Sequence, residues 1–143
     1  MSPIKHLDHL NLTVNNLDQS EQWYAALFGF ERVEAGVWHE TQWRILRAGD
    51  AMLCMYEHPE LTAPPVLVGR RAPQQHHLVK HFALRLHDEA DFLARVEATG
   101  ATLGYGGRVD WPHSSAWYVK DPSGYEIEVV RWHDDAARFT PAA

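Results

Sequence analysis

Three side chains far apart in the sequence, His9, His81 and Glu128, are of the types that bind a divalent transition metal. Two imidazoles and one carboxylate hold Fe2+, Mn2+ or a related ion while leaving coordination positions open for a substrate. Their placement gives the set its meaning. His9 opens the alternating segment His-Leu-Asn-Leu-Thr-Val, His81 opens His-Phe-Ala-Leu-Arg-Leu, and Glu128 lies in a third alternating segment, Tyr125 to Arg131. Side chains point to opposite faces of a strand in turn. Leu10, Leu12 and Val14 therefore oppose His9, Asn11 and Thr13; Phe82, Leu84 and Leu86 oppose His81, Ala83 and Arg85; Ile127 and Val129 oppose Glu126, Glu128 and Val130. The apolar faces are expected to pack under helices, leaving the polar faces to line whatever the sheets curve around. A solvated outer position accounts for Thr13 and Arg85. A histidine heading each of two strands, with a carboxylate on a third, points instead to a shared metal, and ten histidines in 143 residues lean the same way.

The elements that must position these residues occur twice. A strand from His9 to Val14 runs into a helix over Asp18 to Phe28, with Asp18 and Glu21 as a capping box and Gly29 as the left-handed stop. A strand from His81 to Leu86 runs into a helix over Asp88 to Thr99, capped by Asp88 and stopped by Gly100. Trp23, Tyr24 and Leu27 form the apolar stripe of the first helix; Phe92, Leu93 and Val96 form that of the second. Three short strands follow each helix. They are expected near Phe30 to Glu34, Thr41 to Leu46 and Ala51 to Tyr56, then near Thr102 to Tyr105, Ser115 to Val119 and Tyr125 to Arg131. Turns Arg47-Ala48-Gly49-Asp50 and Asp121-Pro122-Ser123-Gly124 close the last hairpin of each set. The class is therefore α+β, built from two βαβββ modules over about residues 4–57 and 79–132, with a proline-marked linker over 58–78, in a single domain spanning 1–143.

Composition narrows the partners. A formal charge of −6 is spread along the chain, so there is neither a basic footprint for nucleic acid nor a polybasic membrane patch. Small molecules are the expected partners. The one cysteine, Cys54, excludes an internal disulfide and fits a reducing compartment. The first ten residues hold Lys5, His6, Asp8 and His9 and lack the apolar core of a secretion signal, so a cytoplasmic protein is expected.

The paired modules, the His-Leu-Asn-Leu-Thr-Val opening, His81 before its alternating strand and the ending Asp121-Pro122-Ser123-Gly124-Tyr125-Glu126-Ile127-Glu128 resemble the vicinal oxygen chelate superfamily. That group holds glyoxalases, extradiol dioxygenases, fosfomycin-inactivating thiol transferases, epimerases and metal-free drug-binding proteins such as the bleomycin resistance proteins. The resemblance covers about Ile4 to Trp132. It implies an incomplete eight-stranded barrel around a metal cleft, commonly in a homodimer, and selects Glu128 over Glu126 as the ligand.

It also implies that Cys54 occupies a fourth inward position, where glyoxalases place a second carboxylate; a lone thiol there reads first as a small buried hydrophobe. Asn11 and Tyr56 would line the pocket with it. With three protein ligands, the extradiol dioxygenases and the thiol transferases fit better than the glyoxalases. Both have an active-site tyrosine at the place of Tyr118. Gly107-Arg108, His113, Tyr118 and the PSGYEIE ending are similar to the dioxygenases, with His113 as a further catalytic histidine. Against that, the dioxygenases' second-shell histidine falls at Val109, and their base could only be His76 or His77, too close to His81. The transferases expect a threonine where Asn11 stands and a loop before Tyr118 that is absent. The expected function is thus a small extradiol-type dioxygenase acting on a catechol-like aromatic with Fe2+ or Mn2+, or otherwise Ni2+ or Zn2+. A glyoxalase-like lyase or isomerase, a thiol transferase and a metal-free binding protein are the alternatives. Trp38, Trp43, Trp111 and Trp117 add aromatic surface suited to a planar substrate, although packing accounts for most such rings.

Overall fold

In the computed structural model, which describes residues 2–61 and 79–140, the same order of elements occurs twice. The first unit, Met1–Thr62, contains β1 (Leu10–Val14), α1 (Leu17–Phe28), β2 (Glu31–Trp38), β3 (Thr41–Ala48) and β4 (Ala51–Glu57). The second, Ala63–Ala143, contains β5 (Phe82–Arg85), α2 (Glu89–Thr99), β6 (Val109–Asp110), β7 (Ser114–Lys120) and β8 (Glu126–Trp132). Each unit forms one four-stranded sheet, ordered β1-β4-β3-β2 and β5-β8-β7-β6, so the α+β class and the βαβββ modules are as expected. The first strand of each lies parallel to the last, which requires a crossover, and the helix supplies it. No described helix is long and apolar enough to cross a membrane. The expected linker, with His76 and His77, lies outside the described residues from 62 onward.

In the first unit, Leu12, Val14, Leu46, Leu53 and Met55 are buried on one face of the sheet, beneath Leu17, Tyr24 and Leu27 of α1. The N-cap is Asn16 rather than Asp18: its side chain accepts a hydrogen bond from the Gln19 N–H at 2.8 Å. Asp18 and Glu21 instead clasp the largely buried Arg44 of β3, at 2.5 and 2.6 Å, because a guanidinium under a helix needs carboxylates within reach. Glu57, at the end of β4, accepts from the Leu17 N–H at 2.8 Å and so places a carboxylate at the positive end of α1.

β2 is longer than the sequence suggested and contains a bulge between Arg32 and Glu34. It ends in a two-residue turn, His39-Glu40, with positive φ of 46° and 65°. That conformation normally calls for Asn or Gly. Gly36 pairs with Trp43, whose ring covers it so closely that a Cβ would stand 2.6 Å from Cζ2.

In the second unit, Asp88 caps α2 as expected, accepting from the Asp91 N–H at 3.0 Å, and Gly100 ends the helix in the left-handed conformation. Phe92 is buried and meets Trp117 at 6.0 Å, whereas Leu93 of the expected stripe is exposed. The strand expected at Thr102 to Tyr105 is not formed. Tyr105, Gly106 and Gly107 all adopt positive φ, incompatible with extended pairing, and β6 begins only at Val109. The β7–β8 turn is fixed by Asp121, whose carboxylate accepts from the N–H groups of Ser123 and Tyr125 at 3.0 and 2.8 Å. This buried turn sets the register that carries Glu126 and Glu128.

Candidate functional site

Pairing in the second sheet puts Glu128 opposite Ala83 on one side and Tyr118 on the other. By the alternation of strand faces, His81, Arg85, Glu126 and Val130 share this face. Trp117, which meets α2, points the other way. His81 Nε2 lies 2.9 Å from Glu128 Oε2, and the Tyr118 hydroxyl donates to Glu128 Oε1 at 3.0 Å. Glu128 thus has an imidazole on one oxygen and a phenol on the other. On the far side of the imidazole, Nδ1 lies 3.4 Å from Glu126 Oε1, and the Glu126 side chain is 1% exposed. Donor atoms bound side by side to one ion at about 2.1 Å each stand about 3 Å apart, so the His81–Glu128 separation suits a pair of ligands.

The phenol of Tyr118 is pushed up to about 12, first by burial, then by the hydrogen bond to Glu128 and that group's negative charge; a hydrogen bond with Trp111 opposes the shift. At neutral pH Tyr118 is therefore a proton donor. Its ring meets Tyr105 at 4.7 Å and His81 at 6.0 Å.

From Glu128 a groove of about 620 Å³ runs along the sheet, walled by Arg85, Trp111, His113, Trp132 and Phe139. His113 stands in this wall with Nε2 3.3 Å from the Thr140 hydroxyl. Trp117 does not contribute, being buried against α2.

In the first unit, His9 immediately precedes β1, half-exposed, with Nδ1 2.8 Å from Asp8 Oδ2. Asn11 pairs with Cys54, and Thr13 with Tyr56, so Asn11, Cys54 and Tyr56 lie on one face of that sheet, away from the buried Leu12 and Met55. Burial raises the Cys54 thiol above its ordinary range. The registers of the two units correspond. Two residues past His9, Asn11 faces Cys54; two residues past His81, Ala83 faces Glu128. Among the described residues, no group of three or more His, Cys, Asp or Glu side chains is arranged to hold an ion, and His81 with Glu128 is as far as the second unit goes by itself.

Sequence reasoning missed the partners behind the histidines. Asp8 and Glu126 were legible only as a neighbour and as a rejected ligand, although Glu126 has the same parity as Glu128. The chain after Trp132, patternless in sequence, supplies Phe139 and Thr140 to the groove. One cluster that resembles a nucleophile site does not act as one. Ser115 is 1% exposed and donates to Asp110 at 2.7 Å, with His133 Nε2 at 3.3 Å, so its proton is held by the carboxylate rather than drawn off by the imidazole. The Ser115 and Arg108 hydrogen bonds hold the Asp110 carboxyl below its usual range.

Comparison with known proteins bears on the fold and the family. The chain is 29% identical over 127 residues to a catechol-2,3-dioxygenase of Bacillus subtilis (strain 168), covering 87% of this chain but only 40% of that protein. A glyoxylase/bleomycin resistance protein/dioxygenase domain from Frankia sp. EAN1pec superposes with a TM-score of 0.72 at 17% identity, covering 93% of this chain and 96% of that one. TnmS3, an antibiotic binding protein from Streptomyces sp. CB03234, superposes with a TM-score of 0.66 at 18% identity, covering 92% and 99%. The family model that spans residues 6–129 places the whole repeat, from ahead of β1 into β8, in one lineage: the chain belongs to the Glyoxalase/Bleomycin resistance protein/Dioxygenase superfamily.

Proposed function

We propose that the protein is a metal-dependent enzyme of extradiol type that opens a catechol-like aromatic, with His9, His81 and Glu128 as ligands to one divalent ion, Fe2+ or Mn2+ before Ni2+ or Zn2+. One observation carries the reading. Both histidines have Nδ1 turned to a carboxylate: His9 Nδ1 is hydrogen-bonded to Asp8 at 2.8 Å, and His81 Nδ1, buried and without a hydrogen bond among the described residues, has Glu126 Oε1 3.4 Å away, so that Nε2, which in His81 meets Glu128 at 2.9 Å, is the nitrogen left for an ion. Metal-binding imidazoles are typically held this way, since the carboxylate fixes the tautomer and makes the other nitrogen a better donor. The name of the Bacillus relative supports the choice of branch, although this chain spans less than half of that protein's length.

The chemistry that a bound ion supplies is Lewis-acid stabilisation of a substrate anion presenting two adjacent oxygens. Glu128, already aligned by His81 and Tyr118, holds its place in the site. Tyr118 keeps its proton at neutral pH; its hydroxyl, which donates to Glu128, would turn that proton to a substrate oxygen once Glu128 served as a ligand. His113, in the groove wall, would exchange a proton with the bound substrate. Trp111, Trp132 and Phe139 offer flat apolar surface to the ring.

A metal-free binding protein is the second reading. His81 and Glu128 satisfy each other directly at 2.9 Å, and an antibiotic binding protein shares the fold. Elemental analysis after dialysis, followed by oxygen uptake with a panel of catechols after anaerobic Fe2+ loading, separates the two. About one ion per chain with catechol-dependent oxygen consumption is expected. Neither metal retention nor uptake, with catechols still bound, establishes the binding protein.

A further inference from the structure

The groove contains a cation that the chemistry above does not use. Arg85 lies on the same sheet face as Glu128, one alternate position further along β5, opposite Val130. Its guanidinium sits over the Trp132 ring, 5.9 Å from the centroid, and lines the groove. Among the described residues no carboxylate pairs with it, whereas the neighbouring Arg138 is held by Asp134 at 3.0 Å. At 5.9 Å the indole face attracts the guanidinium without using its N–H groups, which stay available to a ligand. Those groups form a planar fork matched to a carboxylate. Two residues along a strand is about 6.6 Å, close to the span of a benzene ring with its substituents.

We propose that Arg85 is the anion anchor of this groove and that the molecule bound there is an aromatic carboxylic acid, its ring on Trp132 and Phe139 and its carboxylate on Arg85. The assignment rests on the proposed function in one respect only, that the opposite edge of the ring carries the two oxygens directed to the His81–Glu128 end. The carboxylate subsite itself needs no ion. The three groups charged or titratable along this wall, apart from Arg85, are Glu128, His113 and Arg138. Glu128 is engaged by His81 and Tyr118, so the Arg85 end is the one that attracts an anion.

The test is equilibrium binding, followed by quenching of tryptophan fluorescence, with two matched pairs of probes. One pair is 3,4-dihydroxybenzoate and its carboxamide; the other, lacking adjacent hydroxyls, is benzoate and benzamide. Each acid is expected to bind on the order of tenfold more tightly than its amide, the scale of a charge-assisted hydrogen bond. Arg85→Gln should reduce the preference to less than about threefold while leaving the amides unchanged, and Arg85→Lys should retain part of it. Equal affinities for acid and amide in both pairs, or a preference that survives Arg85→Gln, overturn the assignment. A preference for both acids supports the Arg85 subsite with or without Mn2+; Mn2+ that tightens neither 3,4-dihydroxybenzoate nor its carboxamide counts against the metal reading alone and leaves the subsite standing.

Discussion

Replacing Glu126 with Gln removes one negative charge behind His81 and changes almost nothing in size. The carboxylate oxygen stands 3.4 Å from Nδ1, longer than the roughly 2.8 Å of a strong charge-assisted hydrogen bond. Its support to the imidazole therefore belongs at the weak end of the range for such partners, about tenfold rather than a hundredfold in metal affinity. Tenfold corresponds to about 1.4 kcal/mol. Mn2+ titration followed by electron paramagnetic resonance reads this directly, with Glu126→Ala as a second variant and thermal unfolding of each metal-free protein as control. The expected result is a Kd raised about tenfold by Glu126→Gln with the metal-free unfolding temperature little changed. A Kd within twofold of the parent, at any unfolding temperature, would show that Glu126 is only a packed carboxyl and that the argument from paired imidazoles and carboxylates is wrong.

Tyr118→Phe should slow turnover with metal content intact, and in alkaline absorbance titration it should abolish the tyrosine component that ionises near pH 12. The folded-state value lies above the unfolded value of 10, so the protonated phenol favours the fold below pH 10, and this contribution is lost as pH rises towards 12; in Tyr118→Phe that part of the alkaline destabilisation should vanish. The double substitution His39→Asn, Glu40→Gly should stabilise the fold by about 1 kcal/mol in denaturant unfolding, since both positions have positive φ; no gain would show that the turn is unstrained. Asn16→Ala should cost about 1 kcal/mol as loss of an N-cap. An Asn16→Ala cost below about 0.3 kcal/mol would take the capping role away from Asn16.

How far the sequence could be read depended on whether a local signal and the tertiary outcome coincided. The repeat, α2 with its Asp88 cap, and the parity that puts His81 with Glu128 were legible because period-two alternation and Gly stops are local. The length of β2 was not, because His39-Glu40 has none of the residue types that announce a tight turn, and the chain turns there only because the β2–β3 pairing imposes it. Thr102 to Tyr105 alternated like a strand, but the glycines after it bend the backbone out of register. Asp18 looked like a cap until Arg44, twenty-six positions away, claimed it. Arg85 read as a solvated position for the same reason: no sequence pattern reports that Trp132 stands beneath it.

The matching registers of Cys54 and Glu128 have a consequence for how such a chain diverges. The repeat provides the same socket twice, and it holds a carboxylate, Glu128, in one sheet and a thiol, Cys54, in the other. The spare position sits on a strand whose core contacts are made by Leu53 and Met55 on the opposite side, so it is free to vary without unsettling the scaffold. A substitution at Cys54 can therefore change what the first sheet presents while the second sheet's Glu128 stays as it is.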